Sequence, residues 1–196
     1  MLRVLGGQFR GRRLETPIDG HSTRPMGSRT REAVFNVLRG WFQDARVLDL
    51  FAGVGTMGLE ALSRGASKVW LVEHDREVFD FLKLNVESMG VSDRAVLVRA
   101  DALGETALAT VSEPVDLVFL DPPFALVRTE EGLQRILNQA QRCLPKMKPS
   151  SFLILRLPEV SGNGPSLTGF DGPEHRQYGP EQHVLLYCPH KEGPAS

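Results

Sequence analysis

The chain has 196 residues, 41% of them hydrophobic and 24% charged, and a formal net charge of −1. That suffices for one globular domain with a sizeable core and a small extension, and excludes a disordered or fibrous protein. No apolar run approaches the roughly 20 residues that span a bilayer, and Met1-Leu2-Arg3-Val4 opens no signal-peptide core, so a cytoplasmic protein is expected.

Charge is distributed unevenly. Residues 1 to 31 hold seven arginines (Arg3, Arg10, Arg12, Arg13, Arg24, Arg29, Arg31) against Glu15 and Asp19, a net of +5 that leaves −6 for the rest. An all-Arg arm suits a polyanion, because a guanidinium fork binds phosphate bidentately and stacks on bases; the competing reading is that the arginines keep an exposed hairpin soluble. Gly6-Gly7, Gly11 and Gly20 punctuate short runs at Leu2 to Leu5 and Arg12 to Thr16, which predicts a small β-hairpin.

From Ser28, read as an N-cap, apolar residues recur at helical spacing through Trp41 and Phe42. Val47 to Leu50 is the first predicted strand, and Gly53-Val54-Gly55-Thr56-Met57-Gly58 opens a helix after it. Lys68 to Val72 is a second strand followed by a helix from Val78 to Met89, and Ala95 to Arg99 is a third. Val115 to Leu120 is a fourth, rich in Val, Leu and Phe as buried parallel strands are. A helix from Glu130 to Leu144 leads to a fifth strand at Ser151 to Leu157; after a loop-rich stretch, two last strands lie near Arg176 to Tyr178 and Val184 to Tyr187. Strands alternating with helices at this spacing predict a doubly wound α/β sheet.

Two prolines end the fourth strand at Asp121-Pro122-Pro123-Phe124. They cannot donate to the sheet, so the chain leaves it as a stiff loop carrying a carboxylate and a phenyl ring. In an open α/β sheet that loop lies where ligands bind. An acid beside proline carbonyls and an aromatic face suits a planar base with an exocyclic amine.

The G-x-G-x-x-G with Glu73 twenty residues on also describes a dinucleotide site. Charge separates the readings. Asp49, Glu73, Asp101 and Asp121 stand at the ends of four successive strands, a rim that repels pyrophosphate and favours a cation such as S-adenosylmethionine. Cys143 and Cys188 lie 45 positions apart without CxxC or HxxxH spacing, so neither a disulfide nor a metal site is expected. The same holds for the loose cluster His183, Cys188 and His190.

Asp49-Leu50-Phe51-Ala52-Gly53-Val54-Gly55 resembles motif I of class I methyltransferases, and Asp121-Pro122-Pro123-Phe124 resembles the motif IV of amino-group methyltransferases. The nearer resemblance is to the RsmD family, bacterial enzymes that methylate N2 of one guanine in 16S ribosomal RNA. It is carried by Gly6-Gly7 with Arg10-Gly11-Arg12, by Arg24-Pro25, by Arg29 to Asn36, by Gly58 to Ala66 and by Tyr178-Gly179. Met26 stands where a Thr is expected, Gly27-Ser28 replaces a more polar pair, and residues 161 to 173 match nothing in the pattern.

The resemblance implies a Rossmann-like, seven-stranded, mostly parallel class I fold, with a hairpin arm at 1–27, a methyltransferase domain at 28–190 and a disordered tail at 191–196. It implies S-adenosylmethionine as methyl donor, with Asp49, Phe51, Gly53 and Gly55 shaping its pocket, Glu73 on the ribose and Asp101 on the adenine amine. Asp121 and Pro122 would accept from the guanine N2 amine and Phe124 would stack on the extruded base. Arg3, Arg10, Arg12, Arg13, Arg24 and Arg29 would hold RNA, expected as 16S rRNA in assembled small-subunit particles. The rivals are a DNA adenine-N6 methyltransferase, a protein glutamine-N5 methyltransferase, which usually has Asn in place of Asp121, and a non-catalytic RNA-binding Rossmann protein.

Overall fold

Val47 and Leu48 are adjacent apolar residues on one strand, as are Leu117 and Val118, and neighbours on a strand face opposite sides of a sheet. Both sides must therefore be covered. Val47 and Leu117 belong to one buried cluster, Leu48 and Val118 to a second. The computed structural model of the chain describes residues 2–17 and 26–190, so Arg24 and the expected tail at 191–196 lie outside the described residues.

The strands are β1 (Arg46–Asp49), β2 (Lys68–Glu73), β3 (Ala95–Arg99), β4 (Val115–Leu120), β5 (Met147–Leu157), β6 (Phe170–Gln177) and β7 (His183–Pro189). They form one sheet in the order β3-β2-β1-β4-β5-β7-β6. The first five are parallel and β7 runs against both its neighbours. Helices α1 (Ser28–Val37), α2 (Thr56–Ser63) and α3 (Arg76–Met89) supply residues to the first cluster; α4 (Glu105–Ala109), α5 (Phe124–Val127) and α6 (Glu130–Cys143) supply the second. The order reverses between β1 and β4, whose registered ends, Asp49 opposite Phe119, send their loops to opposite faces. A cleft opens at such a switch point.

Three elements depart most from the sequence reading at their boundaries, each for a local reason. Ser28 is the first helical residue rather than the cap; Gly27 takes the flanking extended conformation, and the helix stops at Val37, ahead of a short 3₁₀ turn around Gly40. β5 begins at Met147, because its register against β4 jumps between Val115 and Leu117, and Pro149, which cannot donate to a ladder, falls within that irregularity. β6 begins at Phe170, inside the stretch expected to be loop, and Pro173 again sits at a register shift.

The N-terminal segment forms the hairpin. Val4 N–H donates to Arg12 O at 3.0 Å and Leu14 N–H to Leu2 O at 3.1 Å, around an Arg3–Arg13 bridge. It is docked on α2. Leu5 N–H donates to the buried Glu60 carboxylate at 2.6 Å and Phe9 N–H to Ser63 Oγ at 2.9 Å. Gly7 has φ +74°, and a Cβ there would lie 1.9 Å from Ser63 O. Gly7 is thus explained by close backbone approach, whereas a Cβ on Gly6 would meet only the Arg64 guanidinium. Arg31, one of the seven N-terminal arginines, is buried beneath this junction and donates to Arg3 O at 2.5 Å. Burial pulls its guanidinium below the ordinary value, which Glu60 opposes and Arg64 reinforces.

Candidate functional site

The glycines of the loop after β1 divide three tasks. Gly53 has φ +55° and open space where a Cβ would stand, so the backbone can meet a ligand there. Gly55, at φ +96°, caps α2, and a Cβ on it would lie 2.7 Å from Leu59 Cδ1 and 2.8 Å from Leu82 Cδ1. Gly58 lets α2 lie on β2, since its Cβ would fall 2.2 Å from Leu71 Cδ2.

Asp49 lies beneath that loop with no exposed surface. Its Oδ2 accepts from Gly58 N–H at 3.0 Å, in the first turn of α2, and no donor among the described residues lies within hydrogen-bond geometry of its Oδ1. Burial raises its pKa to about 7, against the Gly58 and Phe51 N–H groups, and the charges of Asp121 and Glu73 raise it further. Glu73, at the end of β2, is held from two sides: Oε2 accepts from Gly53 N–H at 3.0 Å and Oε1 from Asp75 N–H at 2.8 Å.

Across the switch point, Pro123 caps the short helix α5, so Phe124 is its first residue and is only half-buried. The Pro123 carbonyl accepts from Leu126 N–H at 2.9 Å, whereas no donor among the described residues is bonded to the Pro122 carbonyl. Asp121 is paired with Arg156 of β5, whose guanidinium carbon sits 4.3 Å from the Phe124 ring centroid. Desolvation raises the Asp121 pKa; the charge and hydrogen bond of Arg156 oppose it.

A cavity of about 490 Å³ joins these parts, within the range of small-molecule sites. Phe51, Gly53 and Glu73 line one side, Asp121, Pro122, Phe124 and Arg156 the other, and Leu2 closes it from the hairpin. Asp49 and Gly55 do not line it; they support the loop from below. Asp101 is also absent from the lining. It is exposed at the end of β3, its Oδ1 accepts from Leu103 N–H at 2.9 Å, and its Oδ2 lies 3.9 Å from Arg135.

Arg3, Arg10, Arg12, Arg13 and Arg29 are all exposed. Arg3 Nη1 donates to Gly11 O at 3.0 Å, and Arg12 donates to Ser88 O. Two residues in or beside the cavity wall escaped sequence reading. Arg156 sits inside the apolar run Leu153 to Leu157, which read as plain strand. Asn85 sits on an amphipathic helix; it is buried, bonds Glu15 through both backbone groups at 2.7 and 3.0 Å, and donates to Val54 O at 3.0 Å, tying the arm to the glycine loop. Among the described residues no group of three or more His, Cys, Asp or Glu side chains could hold a metal ion: His183 meets His175 at 2.9 Å, His190 meets Asp171 at 2.7 Å, and Cys143 is buried in α6 with its thiol pushed up to about 12 by desolvation. No helix among the described residues is long and apolar enough to cross a membrane.

S-adenosylmethionine fits this donor set. Three carboxylates, Glu73, Asp75 and Asp121, and the open Gly53 backbone line the cavity, a donor set that suits a ligand carrying a sulfonium and an ammonium.

Comparison with known proteins agrees with the geometry. The profile of the family described as "Conserved hypothetical protein 95" matches residues 2–187. "Ribosomal RNA small subunit methyltransferase D" of Escherichia coli K12 is 42% identical over 132 residues, 67% of this chain and 65% of that protein, so the match spans just under two thirds of the relative's length. The protein of the same name from Haemophilus influenzae is 35% identical over 67% of this chain and 68% of its own length. A solved E. coli structure titled "Putative methyltransferase yhhF" superposes with a TM-score of 0.76 at 28% identity, covering 97% of this chain and 99% of that one. The sheet order and these neighbours make the fold that of class I methyltransferases, and the chain belongs to the conserved hypothetical protein 95 family, the RsmD family.

Proposed function

We propose that this protein transfers the methyl group of S-adenosylmethionine to the exocyclic N2 amine of a guanine in 16S rRNA, acting on the assembled small subunit. The observation that carries the reading is the single cavity bounded by Glu73 and Gly53 on one side and by Asp121, Pro122 and Phe124 on the other. The names borne by the family's curated relatives support rRNA as the substrate class.

The cofactor, when bound, supplies an electrophilic methyl group. Glu73 holds the ribose hydroxyls and Gly53 lets the backbone approach; Asp101, one strand farther out and beyond the cavity lining, keeps Oδ2 for the adenine amine while Oδ1 stays on Leu103 N–H. The guanine N2 lone pair is delocalised into its ring and a weak nucleophile. Asp121 Oδ2 and the Pro122 carbonyl accept its two N–H groups, which aims the lone pair along the line of displacement; such orientation is worth several kcal/mol. The methylated amine is acidic enough to lose its proton readily, so Asp121 acts by accepting hydrogen bonds and need not be a strong base. Phe124 stacks on the base once it has left its helix. The arginines of the hairpin and Arg29 hold phosphates and fix register without reading bases.

The test is a methyl-transfer assay with small-subunit particles, with calorimetry of S-adenosylmethionine binding beside it. Asp121→Ala should abolish turnover and leave cofactor affinity largely intact. Loss of both together would assign Asp121 to the cofactor or the fold.

A further inference from the structure

We propose that Arg156 is a positioning residue of the acceptor clamp: it keeps Asp121 an ionised carboxylate with one oxygen tied and the other presented, and it pins the Phe124 ring beside that carboxylate. The inference rests on the reading above, in which Asp121 accepts from the base amine.

The register makes the arrangement. Leu120 of β4 pairs with Leu155 of β5, so Asp121 and Arg156 follow as neighbours at the ends of adjacent strands. The Arg156 side chain is only 5% exposed and spends its donors inward. Its Nε donates to Asp121 Oδ1, its Nη1 to Gln182 Oε1 at 3.3 Å, and the guanidinium plane covers Phe124. Gln182 is held in turn by the β6–β7 turn, where Tyr178 N–H donates to Gln182 O at 2.8 Å and Gln182 N–H to Gly179 O at 3.2 Å. The Tyr178-Gly179 pair thereby gains a task at the active site, and the Arg128–Glu181 ion pair ties the end of α5 to the same turn.

The electrostatics require such a partner. Desolvation favours the protonated form of Asp121, and the charge and hydrogen bond of Arg156 from β5 oppose it. Without Arg156, desolvation alone acts and favours a protonated Asp121. A carboxylic acid presents an O–H to the amine and no longer accepts from it as a carboxylate does. Tying Oδ1 to Nε–H leaves Oδ2 as the acceptor, and stacking on one face of Phe124 limits ring rotation.

The test compares Arg156→Met, close in volume but uncharged, with Arg156→Lys, which keeps the charge and loses the planar fork. The pH dependence of kcat would be measured on small-subunit particles at saturating S-adenosylmethionine, and the Asp121 carboxyl titration in the free proteins by ¹³C NMR. Arg156→Met should move the acidic limb of kcat and the Asp121 titration up together by about one pH unit or more. It should lower neutral-pH kcat roughly tenfold to hundredfold, with cofactor affinity little changed. Arg156→Lys should restore the limb while recovering kcat only in part. If Arg156→Met proves too unstable, Gln182→Leu, which loosens only the outer bond, should shift the limb in the same direction by less. A limb and a titration left at the parent position in Arg156→Met, or in Gln182→Leu where that stands in, would overturn the proposal. A parent enzyme that leaves guanine N2 unmethylated would instead sink the functional reading, and the NMR titration would still report whether Arg156 governs Asp121.

Discussion

Glu73 Oε2 accepts a 3.0 Å hydrogen bond from Gly53 N–H, joining the acid at the end of β2 to the glycine loop after β1. With Asp75 N–H on Oε1, the carboxylate is fixed before any ligand arrives, and its remaining lone pairs are available to the cavity it lines. Such preorganisation removes an ordering cost from binding.

Glu73→Ala is therefore expected to weaken S-adenosylmethionine binding roughly tenfold to hundredfold, the loss of a charged hydrogen bond being about 1.5–3 kcal/mol. Titration calorimetry would measure it, and an unchanged affinity would remove Glu73 from the cofactor site.

How far the sequence foretold this site depends on how local each signal was. Asp49, Glu73 and Asp121 were readable as strand-end acids because strand composition, glycine loop and Pro-Pro break all lie within a few residues of each. Asp101 was readable by the same rule, and the strand does end there, yet its carboxylate turns to Leu103 N–H and lies outside the cavity lining. Arg156 was hidden because its partner is 35 residues away and their meeting depends on the β4–β5 register, including a shift at a proline-containing irregularity. Asn85 was hidden likewise: only tertiary contact separates a buried polar residue from the wet face of a helix. Gly6-Gly7 reads as turn punctuation, and only the docking on α2 shows why Gly7 must be small.

Asp49 gives the protein a pH-dependent stability. Its folded pKa is about 7 against an ordinary 3.8, so between those values the folded state binds the proton and the unfolded state does not. Stability contributed by protonated Asp49 is present below pH 4 and is lost as pH rises through 7. Asp49→Asn keeps an acceptor for Gly58 N–H and removes the titration. Relative to the parent, the variant should gain on the order of 2–4 kcal/mol between pH 5 and pH 8, one pKa unit being about 1.4 kcal/mol. Chemical denaturation of the cofactor-free proteins at the two pH values measures this; a constant difference would show that Asp49 is ionised throughout.

Gly7 should tolerate no side chain. Gly7→Ala faces both a positive φ and Ser63 O at 1.9 Å, whereas Gly11→Ala has a positive φ and nothing within 4 Å. The left-handed conformation costs about 1–2 kcal/mol in either case. Gly7→Ala should lose more, a Tm lower by about 4 °C or more, with faster trypsin cleavage at Arg10, Arg12 and Arg13 as the hairpin undocks. Equal losses at the two positions would mean that docking on α2 contributes nothing.

The exposed arginines should act as phosphate ligands. Replacing Arg10, Arg13 and Arg29 together by Gln should weaken particle binding and reduce the slope of log affinity against log salt by about 2–3, since each phosphate contact contributes about 0.7–0.9. Cofactor affinity should not change. An unaltered salt slope would leave these side chains a role in solubility alone.

The most direct measurement is nucleoside mass mapping of 16S rRNA. Small-subunit particles from cells lacking this protein would be incubated with the purified enzyme and S-adenosylmethionine carrying a deuterated methyl group. The expected product is a single N2-methylguanosine bearing the label, formed on assembled particles in preference to naked rRNA. Label on an adenine, on protein, or on no nucleoside at all would contradict the assignment of Asp121, Pro122 and Phe124 as the clamp for a guanine amine.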